Sequence, residues 1–258
     1  MLHYWFPIEV YWLSTSITPK MRFVKYGTKN SKEKNLFRRF RFQNHANFII
    51  LCAKGRAVME NLDVYDEYMN KIGTESRRVV HERGLWHKTV HCWMYDDCGN
   101  VYFQERADSG KLYTTASGHV LAGEMVRDAF HREIMEEIGV DTDASNATPL
   151  QIVFWRQDKD DKNWHDRAFA HVYMNKLPAG FTDFHFQPDE VAAVIRVHAK
   201  DCVDLLMGKR PEITATRITQ NGASVLVITG ADFLTAPDET AIIKYGHILQ
   251  SIVQVTDK

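Results

Sequence analysis

Residues 118 to 140 read GHVLAGEMVRDAFHREIMEEIGV, and this stretch decides most of the fold. Apolar residues recur in it at every fourth position, namely Val126, Phe130, Ile134 and Ile138. This spacing places an apolar stripe along one face of a helix. Gly139 follows the last of them, as expected just beyond a helix end. The pattern therefore predicts a helix over residues 124–138 that packs against a sheet.

Three glutamates share one patch of this predicted helix. Glu133, Glu136 and Glu137 stand at positions i, i+3 and i+4, so their carboxylates converge. Like charges at this spacing repel by roughly a few tenths of a kcal/mol per pair, and a bound cation reverses the sign. Mg²⁺ and Mn²⁺ take carboxylate oxygens as ligands and share themselves with substrate phosphates. The cluster thus predicts metal-assisted phosphate chemistry; the alternative is a solvated acidic helix face.

The whole segment resembles the signature of the Nudix hydrolases. The matching residues are Gly118, Glu124, Arg132, Glu133, Ile134, Glu136, Glu137, Gly139 and Val140. The resemblance implies an α/β (α+β) protein with the Nudix fold. In that fold a mixed β-sheet is sandwiched between helices, and the signature forms a loop–helix–loop.

The resemblance also implies roles for these residues. The implied metal ligands, for Mg²⁺ or Mn²⁺, are Glu133, Glu136, Glu137 and the carbonyl of Gly118. The implied catalytic set is Glu133, Glu137, Arg132 and Glu124, of which the last two fix the helix and orient the acids. The implied reaction is attack of water on phosphorus. It cleaves a diphosphate linkage in a nucleoside diphosphate joined to a further group X, or in a related organic diphosphate.

Four more residues are candidate substrate contacts. Arg106 and Lys111 precede the signature and are predicted to bind the diphosphate, Arg as a planar fork and Lys as a point charge. His119 is predicted to touch metal or phosphate, with an ordinary loop histidine as the alternative. Glu190 is a candidate general base, and Glu133 is the other candidate for that role.

A wider resemblance, over about residues 80 to 200, points to the isopentenyl diphosphate isomerases. It rests on residues 84–88, 104–106, 117–119 and 187–191. Such an enzyme moves a double bond by protonation and deprotonation and leaves the diphosphate intact. This chain has Ser117 where the isomerase pattern has a catalytic cysteine, and a hydroxyl is a far poorer acid than a thiol. A hydrolase is therefore favoured.

Two other features enter that comparison. The paired glutamates of the isomerases have no counterpart near residues 166–168. His81, His87 and His91 are similar, with imperfect spacing, to histidines of the isomerase metal site. Because the spacing is imperfect, core or surface roles are preferred for these three. A third possibility is a ligand-sensing module without catalysis, against which the intact carboxylate set argues.

The remaining sequence predicts a compact mixed sheet. Predicted strands cover residues 86–95, 101–106, 151–155, 168–174 and 189–197. A second helix is predicted at 199–207, and a hairpin and a final helix in the last 45 residues. Residues 65–80 are predicted as a short strand or turn followed by polar sequence. The polar stretch 158–166 is predicted to be a substrate-facing loop.

Charge divides the chain near Met59. Residues 1–58 carry eleven Lys and Arg against two acids, or +9, so the rest must carry −10 to reach the total of −1. We expect residues 59–258 to form the Nudix domain. For residues 1–58 the preferred explanation is translation from a start codon upstream of the natural one. The alternatives are a poorly ordered basic extension and a functional basic arm.

Composition predicts a cytoplasmic enzyme. The chain has 258 residues, 45% of them apolar, without the run of about 20 uncharged apolar residues that spans a bilayer. The four cysteines form no Cys-x-x-Cys pair, which favours reduced thiols. A small-molecule diphosphate is the expected partner, nucleic acid is unlikely because no helix-turn-helix is recognisable, and a homodimer is possible because dimers are common in the family.

Overall fold

The computed structural model describes residues 60–142, 146–159, 163–177, 181–234 and 239–256, with side chains in the last range from Tyr245 onward. The basic segment 1–58 lies outside the described residues. Within them every helix falls short of the length and apolarity that a membrane span requires.

The described residues form eleven strands and four α-helices. The strands are β1 (Asn61–Tyr65), β2 (Lys71–Ser76), β3 (Trp86–Tyr95), β4 (Asn100–Arg106), β5 (Leu112–Tyr113), β6 (Ala116–His119), β7 (Thr148–Lys159), β8 (Trp164–Lys176), β9 (Val191–His198), β10 (Glu212–Thr219) and β11 (Gly222–Thr229). The helices are α1 (Arg77–Arg83), α2 (Val126–Ile138), α3 (Ala199–Leu206) and α4 (Glu239–Thr256). The mixed α+β class predicted from the sequence is confirmed.

Strand β3 is the centre of the sheet. One of its edges pairs in parallel with β8 along its whole length, from Trp86 to Tyr95. The other edge pairs in turn with β1 at Trp86, with β6 over Thr89–Cys92 and with β4 from Met94. The short strand β6, which carries Gly118, is therefore held in the middle of the sheet. From β4 the sheet continues through β9 and β10 to β11.

Helices cover both faces of this sheet, as the alternation of β3 requires. Cys92 and Met94 belong to one buried cluster with Phe130 and Ile134 of α2. Trp93, between them in sequence, belongs to the other cluster with residues of α3 and α4. Neighbouring residues of a strand point to opposite faces, so α2 lies on one face and α3 with α4 on the other.

Two predicted segments need correction. Residues 65–80 hold the end of β1, the turn and the whole of β2, as a short strand or turn was predicted, but the polar sequence after them begins helix α1 at the Ser76 N-cap. The stretch 158–166 is not one loop, because Asp158 pairs with His165 and Gln157 with Asp166 in a long β7–β8 hairpin. Both segments are short or largely exposed and rich in polar residues, so they lack the apolar periodicity that reveals an element.

Candidate active site

Helix α2 fixes the acidic cluster at the margin of the core. Its apolar side packs against the sheet through Phe130 and Ile134, both fully buried. It ends at Gly139, whose φ of 70° lies in the left-handed region and lets the chain turn away. The predicted helix is thereby confirmed with a start at Val126. Glu133 and Glu137 lie on the same buried side and are themselves buried.

Gly118 leaves the space that the Glu133 carboxylate fills. A β-carbon built at Gly118 would overlap the carboxyl carbon and both oxygens of Glu133. Strand β6 and helix α2 thus meet where the Glu133 carboxylate lies against the backbone of Gly118. The absence of a side chain at position 118 is a packing requirement of the site.

Arg132 ties the acids together. Its guanidinium donates to both carboxylate oxygens of Glu124, each at 2.9 Å. It also donates to Glu133 Oε1 at 2.7 Å, to Glu136 Oε2 at 3.1 Å and to the His119 carbonyl at 2.8 Å. Glu124 in turn accepts from the Leu121 backbone N–H at 2.9 Å. One cation therefore holds three carboxylates and the end of β6 in a fixed arrangement.

Glu137 is held from the sheet. Its Oε2 accepts from the Ser117 backbone N–H at 3.1 Å and from the Gln104 side-chain amide at 3.2 Å. Gln104 lies on β4 and is fully buried. The carboxylates of α2 are thus oriented by two strands, β4 and β6, as well as by Arg132.

The electrostatics of the cluster favour the binding of a cation. Burial, together with the charges of Glu136 and Glu190, raises the pKa of Glu133 to about 7, although Arg132 opposes the shift. Burial also raises the pKa of Glu136, and it holds the pKa of Glu137 well above its ordinary value, with Glu133 adding to the effect. Three carboxyls with raised pKa values on one patch are the donor set that a hard divalent cation requires.

Two of the four predicted substrate contacts lie in the field of this cluster. The charge of Glu190 raises the pKa of Glu133, Glu136 and Glu137, and the Gln187 amide donates to Glu190 at 2.9 Å. Arg106 is the last residue of β4, and its charge lowers the pKa of Glu137. Its guanidinium is paired with Asp108 at 3.0 Å. The Lys111 ammonium donates to the Ala231 carbonyl at 2.7 Å.

His119, the fourth, joins a histidine cluster, which we define as His81, His87 and His119. Their ligand atoms all lie within 4.8 Å of one another, and the Nε2 atoms of His81 and His119 are 3.4 Å apart. Asp166 places Oδ1 at 3.6 Å from His87 Nε2 and 3.8 Å from His81 Nε2. Trp164 stacks on His81 with ring centres 3.7 Å apart.

The histidine cluster is prepared for a metal of the nitrogen-binding type. His81 Nδ1 donates to the Arg77 carbonyl and His87 Nδ1 to the Leu85 carbonyl, because a carbonyl only accepts. Their Nε2 lone pairs therefore face the cluster. Burial lowers the pKa of both rings to about 4, which keeps them neutral at pH 7. Among the described residues, His87 Nε2 and Asp166 Oδ1 are buried without a hydrogen-bond partner.

Of the three histidines that are similar to those of the isomerases, the structure brings His81 and His87 together, with His119 as the third member. His91 contacts the Tyr113 hydroxyl at 3.2 Å, and His119 takes the place expected of it. The pairing register brings His119 into the cluster: His87, Thr89 and His91 share one face of β3, and β6 sets His119 opposite Thr89 on that same face. Asp166 and Gln104 were also missed as site residues, since their partners come from distant parts of the chain.

The chain is similar to several known proteins. The NUDIX domain family model matches residues 85–215. An uncharacterized Nudix hydrolase of Clostridium acetobutylicum is 30% identical over 158 residues, which are 58% of this chain and 75% of that protein. Isopentenyl-diphosphate Delta-isomerase 2 of Photorhabdus laumondii is 33% identical over 87 residues, 32% of this chain. This chain spans about half of that isomerase, 49% of its length.

One solved structure is similar over much of the chain. The crystal structure of a Deinococcus radiodurans protein is 19% identical, has a TM-score of 0.43 and covers 63% of this chain and 94% of that one. The family model spans β3 to the first half of β10, including the acidic cluster and His119.

Proposed function

This chain belongs to the Nudix family, and we propose that it is a metal-dependent hydrolase that cleaves a diphosphate linkage by attack of water on phosphorus. Membership makes it an enzyme of the pyrophosphohydrolase class acting on a small molecule. The proposed substrate is a nucleoside diphosphate linked to a group X, or a related organic diphosphate. A cytoplasmic location, a homodimer and the lack of a nucleic-acid partner stay predictions.

One observation carries the proposal, namely the buried carboxylate pair of Glu133 and Glu137. Burying two acids on one helix face costs free energy unless a cation or a proton compensates them. Gly118 nevertheless leaves space for the Glu133 carboxylate. Two N–H donors, from Ser117 and Gln104, bind the Glu137 carboxylate. This arrangement keeps two acids buried and oriented, and it supports a cation site.

Nudix hydrolases generally use divalent metal ions, and for this chain we propose Mg²⁺ or Mn²⁺. The residues that would hold the ion are Glu133, Glu136, Glu137 and the Gly118 carbonyl. Their oxygen donors fit a hard cation, and the backbone of Gly118 lies against the Glu133 carboxylate. When bound, the ion neutralises charge on the phosphoryl oxygens and activates water.

The remaining roles fall to side chains around the cluster. Arg132 and Glu124 orient the carboxylates. We assign binding of the diphosphate to Arg106, Lys111 and His119, which requires Arg106 to exchange its bond with Asp108 for one with phosphate. The proton of the attacking water goes to a carboxylate, either Glu133 or Glu190.

The experiment is a hydrolysis assay on the full chain. We would incubate diphosphate-linked compounds with Mg²⁺ or Mn²⁺ and measure release of phosphate or nucleotide, with Glu137→Gln beside the wild type. Turnover that needs the metal and falls at least about 100-fold in the variant supports the proposal. Turnover that survives EDTA or the variant contradicts it. The matched control is Glu75→Gln, an exposed residue of β2.

A second candidate function is isomerisation of an isoprenoid diphosphate, and the histidine cluster favours it. These rings and Asp166 form a nitrogen-rich site beside the carboxylate cluster, to which the His119 carbonyl is tied through Arg132. Ser117 stands against it, because that position lacks an acid strong enough to protonate a double bond. Incubation with isopentenyl diphosphate separates the two functions: an isomerase returns an intact isomeric diphosphate, whereas a hydrolase releases phosphate.

A further inference from the structure

Gln104 is a residue of the site that lies outside the signature of residues 118–140. It lies on β4, between Tyr113 of β5 and Val194 of β9, and is fully buried. Its side chain crosses from the sheet to helix α2, where its amide nitrogen lies 3.2 Å from Glu137 Oε2. A carboxylate that ligates a metal is ionised and only accepts hydrogen bonds, so the nitrogen is the atom assigned to face Glu137.

Two donors therefore converge on the same oxygen of Glu137. The Ser117 backbone N–H reaches Oε2 from β6, and Gln104 reaches it from β4. Both of these contacts are to Oε2, so neither donor engages Oε1. Partners that orient a ligating carboxylate in this way set its geometry, and their loss typically weakens a metal site.

The other end of the amide is unusual. Gln104 Oε1 is buried and has no hydrogen-bond partner within the described ranges. A single carbon separates it from the nitrogen that binds Glu137, so it lies beside the carboxylate cluster. An unpaired buried acceptor costs free energy, and native proteins rarely keep one unless water or an ion completes it.

We propose that Gln104 is a positioning residue of the carboxylate site. Its N–H fixes Glu137, and its carbonyl oxygen accepts a hydrogen bond from a water molecule in the site. The inference rests on the proposed function, because it presumes that Glu137 serves a metal-dependent hydrolysis. It gives the buried amide two partners and explains why a polar side chain occupies the core at this point.

The test is the affinity of the full chain for Mn²⁺, measured by titration calorimetry. Gln104→Met keeps the length of the side chain and removes both polar atoms. We expect its dissociation constant for Mn²⁺ to rise about 10- to 100-fold. At saturating Mn²⁺ we expect a lower kcat with an unchanged KM for the diphosphate, because substrate binding does not use the amide. The matched control is Gln157→Met, an exposed glutamine of β7 that should leave both values unchanged.

Thermal unfolding in EDTA shows whether each variant is folded. If Gln104→Met does not fold, Gln104→Asn decides the matter, since it keeps a buried amide that is too short to span the 3.2 Å contact. Wild-type affinity and wild-type kcat in a folded variant would overturn the inference alone. If the wild type binds no Mn²⁺, or if Glu137→Gln binds it equally well, the proposed function fails and the inference falls with it.

Discussion

Replacing Gly118 by alanine should remove most of the activity while leaving the fold nearly intact. The new methyl group would overlap the carboxyl group of Glu133. Gly118 is not among the glycines with positive φ, so its backbone accepts an alanine without strain. The whole effect of the substitution therefore acts through the position of Glu133.

The expected magnitudes differ for stability and for function. Overpacking a core costs about 1–3 kcal/mol. Here the overlapped atoms are the end of a flexible side chain, and moving them also relieves the burial of an acid, so we expect about 1 kcal/mol. In a domain of about 150–250 residues this lowers Tm by about 2–4 °C. A shift of about 1 Å at a catalytic group costs about 100-fold in rate.

The assay compares three quantities in wild type and variant. These are kcat/KM for metal-dependent diphosphate hydrolysis, the dissociation constant for Mn²⁺, and Tm in EDTA. The matched control is Gly73→Ala on β2, where an added β-carbon meets no atom within 4 Å. A second variant combines Gly118→Ala with Glu133→Asp, whose shorter side chain makes room for the methyl group and should regain part of the Mn²⁺ affinity.

Two results would refute this reasoning. A Gly118→Ala protein with wild-type Mn²⁺ affinity and turnover would show that Glu133 is not needed where the structure places it. A large loss of Tm in EDTA, of about 10 °C or more, would show that Gly118 serves the fold and that activity is lost through unfolding.

Three further predictions concern the same elements. In a urea titration, Arg132→Ala should lower the free energy of unfolding by about 1.5–3 kcal/mol, since it removes charged hydrogen bonds to Glu124. The control Arg78→Ala breaks an exposed ion pair with Glu82 and should lower it by less than about 1 kcal/mol. Affinity for Mn²⁺ should rise with pH up to about pH 7, because the raised pKa of Glu133 keeps that ligand protonated below pH 7. The expected slope is about tenfold per pH unit for each proton released on binding. A dissociation constant that stays the same between pH 5.5 and 8 would contradict this prediction. Phe130→Ala should cost about 3–5 kcal/mol, because the ring is fully buried under α2, and a cost below about 1 kcal/mol would mean that α2 does not pack there.

Sequence alone was sufficient where a local pattern carries the structure. The fourfold spacing of Phe130 and Ile134 predicted α2, and the alternation of residues 86–95 predicted β3 with the bounds that it has. Both elements face the core, so burial imposes their periodicity directly. The spacing of Glu133 and Glu137 placed their carboxylates on one patch for the same reason.

The parts that were missed depend on how distant segments meet. Nothing local in the sequence marks Gln104 as a partner of Glu137, because the contact joins a strand to a helix 33 residues later. The histidine cluster needs α1, β3 and β6 to converge, and only the register of β6 on β3 selects His119 over His91. Pairing register is a property of the assembled sheet.

The most direct test of the central claim is a single turnover in water enriched in ¹⁸O. The full chain would be mixed with a diphosphate substrate that it turns over, in buffer that contains Mg²⁺ or Mn²⁺. The masses of the products would then be measured by mass spectrometry. The proposal predicts one ¹⁸O atom in a phosphate-containing product, and no label when Glu137→Gln replaces the wild type. Label in the alcohol of a cleaved C–O bond, or an isomerised diphosphate without label, would contradict attack of water on phosphorus at this carboxylate cluster.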